Sequence, residues 1–374
     1  MAKTYNNLYG KVIDYDNIVA AINAAAKGKR RKRSVQRCLT DVDKTARIII
    51  EKIERGDYGF PEVRPAHYIN DGIQAKRRTI IHPAFHEQII DHAFLQILSP
   101  IFMRSFDPHS YGSIPGRGQE GMIRYVMCKV RRRQDKVKYY AKLDVKKCFD
   151  TISPEAVYNE IKTHYVRDRR VLAWVRAKLA ANTLKTPEGD ILKVGVPIGL
   201  FTSPWFVNVI LSRIDHILKD RFGVYCLVRF MDDLLILHGN KREMMKAITA
   251  AGDELEVFGM NWKAVPKATK WEYGDRGKIR FCGVQITRET CEVRDAVFIR
   301  AVRTGNRISS KMHKKLRVTW YDAAKNISYG GRFRAFESYR AFVKNVLKDG
   351  KTKFSSMRQK IAAHDKLKAK GNAK

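Results

Sequence analysis

Acidic residues and organised cysteines are what this chain has least of. Asp and Glu number 38 against 73 Lys and Arg, a formal net charge of +35 over 374 residues. A surplus of that size repels itself and calls for a polyanion, for which nucleic acid is the leading candidate. The six cysteines (Cys38, Cys128, Cys148, Cys226, Cys282 and Cys291) form no Cys-x-x-Cys pair and no His-Cys cluster. That argues against a zinc site and for reduced, mostly buried thiols. No apolar run is long enough to span a bilayer, and the opening MAKTYNNLYG lacks the apolar core of a signal peptide. The expectation is a cytoplasmic protein with no membrane partner. No internal repeat is visible, and a hydrophobic share of 44% excludes wholesale disorder.

What the chain does have is an anomaly of placement. Arg229-Phe230-Met231-Asp232-Asp233-Leu234-Leu235-Ile236 sets two adjacent acids inside an apolar run, Tyr225 to Leu237, that otherwise reads as two buried strands. Burying a carboxylate is costly unless a cation or a hydrogen-bond network compensates. A surface turn, where Asp is common, is one account of the pair. Presentation of both acids to divalent metal ions, hard cations that take carboxylate oxygens, is the other.

Around that stretch the chain alternates helices and strands. Residues 1–50 read as helices interrupted by the basic run Lys27 to Arg33, either a solvated loop or a phosphate contact. Gly56 to Asp71 leads into a hairpin, and Lys76-Arg77-Arg78 opens a β-branched run. Period-2 alternation there aims Lys76 and Arg78 the same way, as a pair suited to a triphosphate or as decoration of an exposed edge. Ser105 to Gly121 is rich in Gly, Ser and Pro, and its Gly116-Arg117-Gly118 suits either a phosphate or a flexible loop. A helix over 119–132 and a strand over 137–144 follow, the strand ending on Asp144. Ser153-Pro154-Glu155 starts a helix to about His164, and another spans Arg167 to Leu179. Gly195 to Leu200 is a loop, and Thr202-Ser203-Pro204-Trp205 opens a long apolar helix. Helix 242–258, a loop holding Lys263 and Lys267, and one strand over Ile279 to Ile286 complete the middle region. From about 294 the chain turns to basic, aromatic-bearing helices, then to a basic tail expected to touch nucleic acid.

The order of these parts is more specific than any one of them. A strand ending in Asp144, a Gly-containing loop opening a helix, and a hairpin bearing Asp232-Asp233 form the skeleton of a two-metal nucleotidyl transferase. The chain here resembles the reverse transcriptases over roughly residues 60 to 345. Phe230-Met231-Asp232-Asp233 is similar to their Tyr-x-Asp-Asp box, and Asp144 with Phe149 to their first catalytic block. The resemblance implies an α+β fold, a right-hand polymerase with an antiparallel palm sheet, an N-terminal helical extension and a helical thumb. Its expected divisions are an extension at 1–55, fingers at 56–136, palm at 137–293, thumb at 294–348 and tail at 349–374. It also implies Asp144, Asp232 and the Val145 carbonyl as ligands of two Mg²⁺ ions (Mn²⁺ as a substitute), with Asp233 assisting. Lys76 and Arg78 would hold the dNTP, and Phe149 would gate its sugar. Which of Lys263 and Lys267 is the family's motif lysine stays open.

Pro197-Ile198-Gly199, followed by Leu-Phe-Thr-Ser203, resembles the loop of enzymes from diversity-generating retroelements. These copy a template RNA and misincorporate opposite adenines. Ile198 either removes a polar contact near the templating base or simply packs. Pro204 is similar instead to group II intron enzymes, and Val318-Thr319-Trp320 departs from the retron thumb motif. The expected partners are template RNA, an RNA/cDNA duplex, dNTPs and a small basic accessory variability protein. The chain's length leaves no room for a maturase DNA-binding region, an endonuclease or an RNase H domain. Alternatives are an intron-like or phage-defence reverse transcriptase without adenine mutagenesis, and a non-catalytic RNA-binding protein.

Overall fold

The computed structural model describes residues 4–71, 76–272 and 277–297, together with positions 299, 300, 303, 304, 307 and 310. Nearly all of the expected thumb and the whole basic tail lie outside the described residues. The chain divides into two compact units, Met1–Gly118 with Lys136–Lys270 and Gln119–Asp135 with Trp271–Lys374.

The first unit opens with four helices: α1 (Tyr9–Val12), α2 (Tyr15–Ala26), α3 (Arg33–Thr40) and α4 (Val42–Glu54). Asp14 caps α2 by accepting from the amides of Asp16 and Asn17, and Asp41 caps α4 through the Lys44 amide. Ile18, Ile22 and Ile49 are wholly buried, in one core with the long helix α5 (Phe85–Met103). Between α4 and α5 lies the hairpin of β1 (Val63–Asp71) and β2 (Lys76–Ile81). Further on come β3 (Tyr139–Asp144), the short helix α7 (Cys148–Thr151), α8 (Pro154–His164) and α9 (Arg169–Ala180). α6 is Gln119–Arg132 and belongs to the second unit. Ser153 and Asp168 cap α8 and α9.

Two sheets shape this unit. β1 runs antiparallel to β2 and parallel to β4 (Thr183–Lys185), which forms a hairpin with β5 (Ile191–Lys193). The second sheet is wholly antiparallel, in the order β6-β7-β3-β8: β6 is Cys226–Phe230, β7 Asp233–His238 and β8 Thr269–Lys270. α10 (Ser203–His216) and α11 (Lys241–Val257) complete the unit. Alternate residues of β3 and β7 (Ala141, Leu143, Leu234, Ile236) join one apolar core with Val209, Ile210 and Ile214 of α10 and Leu255 of α11. Leu235 and Leu237, facing the other way, are equally buried. The strand ends are therefore fixed by packing on both faces.

The second unit carries α6 and a small sheet of β9 (Ile279–Phe281), β10 (Val284–Ile286) and β11 (Cys291–Val293). The single strand expected over 279–286 is corrected here to a hairpin. Cys282 and Gly283 take φ of 44° and 83°, the two left-handed positions of a tight turn, and fold β10 back on β9. None of the described helices is long and apolar enough to cross a membrane.

Candidate active site

Strand register assembles the site. Asp144, the last residue of β3, lies directly opposite Asp233, the first of β7. Phe230 of β6 also pairs with Asp233, leaving Met231 and Asp232 as a two-residue turn. Met231 takes φ 57°, a left-handed conformation that costs a non-glycine residue energy unless its surroundings enforce it. The Val145 amide donates to the Asp232 carbonyl at 3.2 Å, so the end of β3 is laced to that turn. All three acids thus gather at one edge of one antiparallel sheet.

The loop after α11 supplies the nearest cation. The Lys263 amide donates to the Asp144 carbonyl at 2.8 Å, and its ammonium donates to Asp144 Oδ2. That hydrogen bond holds the Lys263 pKa above its ordinary value. Of the two lysines left open by the sequence, Lys263 is the one seated on an acid. Burial raises the Asp232 pKa, with Asp144 adding to it, while Arg78 and Lys263 pull it back. Burial, then the charges of Asp232 and Asp144, push Asp233 up to about 6. The carboxyls therefore sit in a field short of positive charge.

The expected nucleotide-side residues are linked to this edge through backbone. Phe149 lies half-buried on α7, and its carbonyl accepts from the Val196 amide at 2.8 Å. At the far end of the same loop the Ile81 amide of β2 donates to the Ile198 carbonyl at 2.9 Å. Gly199 takes φ 112°, and a Cβ there would lie 2.2 Å from the Ile81 carbonyl oxygen, so only glycine fits the crossing. Ser203 Oγ donates to the Pro197 carbonyl at 2.6 Å. Pro197 is buried, Ile198 half-buried and Gly199 exposed. Phe149, the 197–199 loop and β2 thus form one continuous framework. On β2, Arg78 is near enough to Asp232 to act on its charge. Its neighbour Arg77 is spent elsewhere, paired with Glu188 at 2.6 Å and lying over the Tyr68 ring at 3.5 Å. Lys76 begins the strand, with its backbone opposite Asp71.

The Gly-rich loop before α6 packs against the acidic turn. Arg117 Nη1 donates to the carbonyls of Asp107 (2.6 Å) and Ser110 (3.3 Å), so that side chain staples its own loop. Gly112 abuts the acidic turn, where a Cβ would meet the Met231 amide nitrogen at 2.3 Å. The loop is a buttress. Sequence reading also passed over Arg229, Asn208 and Asp215, which lie buried beneath the turn. A signal existed for Arg229: it is a charge inside the same apolar run that made Asp232 and Asp233 conspicuous.

The donor set has the chemistry for divalent cations, being hard carboxylate oxygens among which the charge of Asp144 raises the pKa of Asp232 and Asp233. It is not a closed cage: among the described residues no group of three or more His, Cys, Asp and Glu is drawn together as one. Lys263 Nζ donates to Asp144 Oδ2, which puts a cation on one of these oxygens.

Residues 69–286, more than half of the chain, match the profile of the reverse transcriptases (RNA-dependent DNA polymerases). The group II intron-encoded protein LtrA of Lactococcus lactis subsp. cremoris is 25% identical over 167 residues, 45% of this chain and 27% of that protein. The COX1/OXI3 intron 1 protein of Saccharomyces cerevisiae is 24% identical over 226 residues, 59% of this chain and 26% of that protein. The matches therefore span about a quarter of each relative's length. A solved telomerase from Candida albicans, bound to a TWJ fragment of telomeric RNA, is similar at TM-score 0.49 and 12% identity, over 84% of this chain and 59% of that one.

Proposed function

The chain belongs to the reverse transcriptase family, and from that premise we propose that it is an RNA-directed DNA polymerase working by two-metal nucleotidyl transfer. The observation that carries this is the register of Asp144 against Asp233, with Asp232 in the adjoining turn. In this reading Asp144, Asp232 and the Val145 carbonyl hold the ions, with Asp233 assisting. Bound Mg²⁺ would supply the charge that activates a primer 3′-hydroxyl and steadies the pyrophosphate leaving group. Arg78 and Lys76 hold the triphosphate from β2, and Phe149 bars a 2′-hydroxyl from the sugar pocket. Lys263, seated on Asp144, adds positive charge beside the acids. In hand terms, the β6-β7-β3-β8 sheet is the palm and the β1–β2 hairpin belongs to the fingers. Template RNA and the RNA/cDNA duplex are the partners, and the surplus positive charge suits their phosphates.

At the finer level, we assign the chain to the diversity-generating class, copying a template RNA with errors at adenines alongside a small basic accessory protein. Support comes from Ile198, whose side chain offers no hydrogen bond in a loop tied by backbone to both Phe149 and β2. A contact that reports pairing geometry contributes about 1 kcal/mol, or roughly fivefold in discrimination. The second reading, an intron-like enzyme of ordinary fidelity, is favoured by Pro204 and by the intron-encoded relatives. The test is cDNA synthesis on a defined RNA template with Mg²⁺ and all four dNTPs, followed by sequencing of the product. Errors concentrated at template adenines, reduced about fivefold by Ile198→Gln, support the mutagenic assignment. Uniformly accurate cDNA moves the chain to the intron-like reading.

A further inference from the structure

The turn that carries Asp232 rests on a buried arginine that touches none of the acids at the site. Arg229, wholly buried on β6, has an acceptor for each of its five N–H bonds. Nε donates to Asp215 at 2.9 Å, and Nη2 to Asp215 Oδ2 at 2.8 Å and to Ser110 Oγ at 3.1 Å. Nη1 donates to Asn208 Oδ1 at 2.7 Å and to the Met231 carbonyl at 3.3 Å. Ser110 Oγ closes the ring by donating to Asp215 Oδ2 at 2.6 Å. Asn208 Nδ2 reaches the Gly112 carbonyl at 3.0 Å, tying α10 to the buttress loop. The backbone of Arg229 grips the same loop, its amide donating to His109 at 3.2 Å and its carbonyl accepting from Tyr111 at 2.8 Å.

We propose that Arg229 is a positioning residue that sets the Met231–Asp232 peptide, and with it the direction of the Asp232 carboxylate, through the Arg229–Asp215–Asn208 network. The inference rests on the polymerase reading above and adds a residue to it. A fully satisfied buried ion pair gains little stability over well-packed apolar residues of the same volume, so stability alone does not account for one here. What the network delivers is geometry. Met231 is left-handed, which turns its carbonyl inward onto Nη1, and Gly112 leaves no space for the turn to shift toward the loop. Lysine could not substitute, because a single ammonium cannot serve Asp215, Asn208 and Met231 from the fixed directions of a planar fork.

The test uses the full chain. Arg229→Met with Asp215→Asn removes both charges with little change in volume, and Gly112→Ala pushes the turn without touching a charge. Three quantities are measured: the melting temperature, Mn²⁺ affinity by electron spin resonance, and kcat and KM for dNTP on an RNA template–primer. The expectation for the double variant is a melting temperature within a few degrees of wild type, with Mn²⁺ binding weakened about tenfold or more. Its kcat should fall at least tenfold while KM for dNTP holds. Gly112→Ala should reproduce the loss of Mn²⁺ affinity, and does so independently if the double variant fails to fold. Wild-type Mn²⁺ affinity and kcat in either folded variant overturn the proposal. A wild-type chain that makes no cDNA while the variants still lose Mn²⁺ affinity faults the polymerase reading instead.

Discussion

Two sets of acids within the same compact unit meet opposite fates. In the interior, Asp215 is matched by Arg229 at 2.8 Å, and Glu87 by Arg64 at 2.8 Å and Lys178 at 2.6 Å, all of them buried. At the sheet edge, Asp144 meets the half-exposed Lys263, while burial outweighs every cation at Asp232 and Asp233 and the charge of Asp144 raises both. The interior acids are quenched by charges built into the fold. The edge acids have less built-in positive charge around them, which is what the proposed two-metal reading asks of them. Asp91 is the informative intermediate. It is wholly buried with Lys178 at 2.8 Å, yet neither of its oxygens has a partner in hydrogen-bonding geometry, and burial pushes it up to about 6.

The contrast breaks most visibly at Asp232. Asp232→Ala should cut nucleotide incorporation at least about a thousandfold. RNA affinity should barely change, because phosphate contacts come from cations. The metal-free protein should melt no lower than wild type. Full activity in this variant would sink the two-metal reading. Next comes the interior. Lys178→Met strands Asp91 and weakens the hold on Glu87, and should cost about 3–5 kcal/mol in denaturant unfolding. A loss under 1 kcal/mol would show that the interior charges are not quenched as argued.

The smallest effect is the pH dependence of Asp91. Because its folded pKa is raised, the folded chain keeps a proton between roughly pH 4 and 6 that the unfolded chain gives up. Stability therefore falls as pH rises through that window and levels off above about 6. Asp91→Asn should flatten this fall by on the order of 1–3 kcal/mol. An unchanged slope would mean that Lys178 compensates Asp91 fully.

Legibility followed the range of the interaction. The cap at Ser153 and the Pro204-bearing start of α10 were readable because a cap is made within three residues and a proline's fixed φ acts at its own position. The hairpin at Cys282-Gly283 was missed although its signal is local: apolar residues on both sides made one run of what the turn divides. Alternation on β2 separated Arg78 from Arg77, but only Glu188 and Tyr68 show where Arg77 goes. The sequence did not single out Gly112, the loop glycine pressed against Met231, because glycine permits a close approach without saying to what.

By itself the sequence determined most of the elements, the basic surplus and the misfit of Asp232 and Asp233 in an apolar run, since periodicity, capping and burial cost are properties of neighbouring residues. Only the tertiary structure decided the register of Asp144 on Asp233, the seat of Lys263 rather than Lys267, and the five-donor role of Arg229. Each of these joins segments distant in the chain. Such contacts are chosen by how whole strands and helices bury their faces together, and no local pattern encodes that choice.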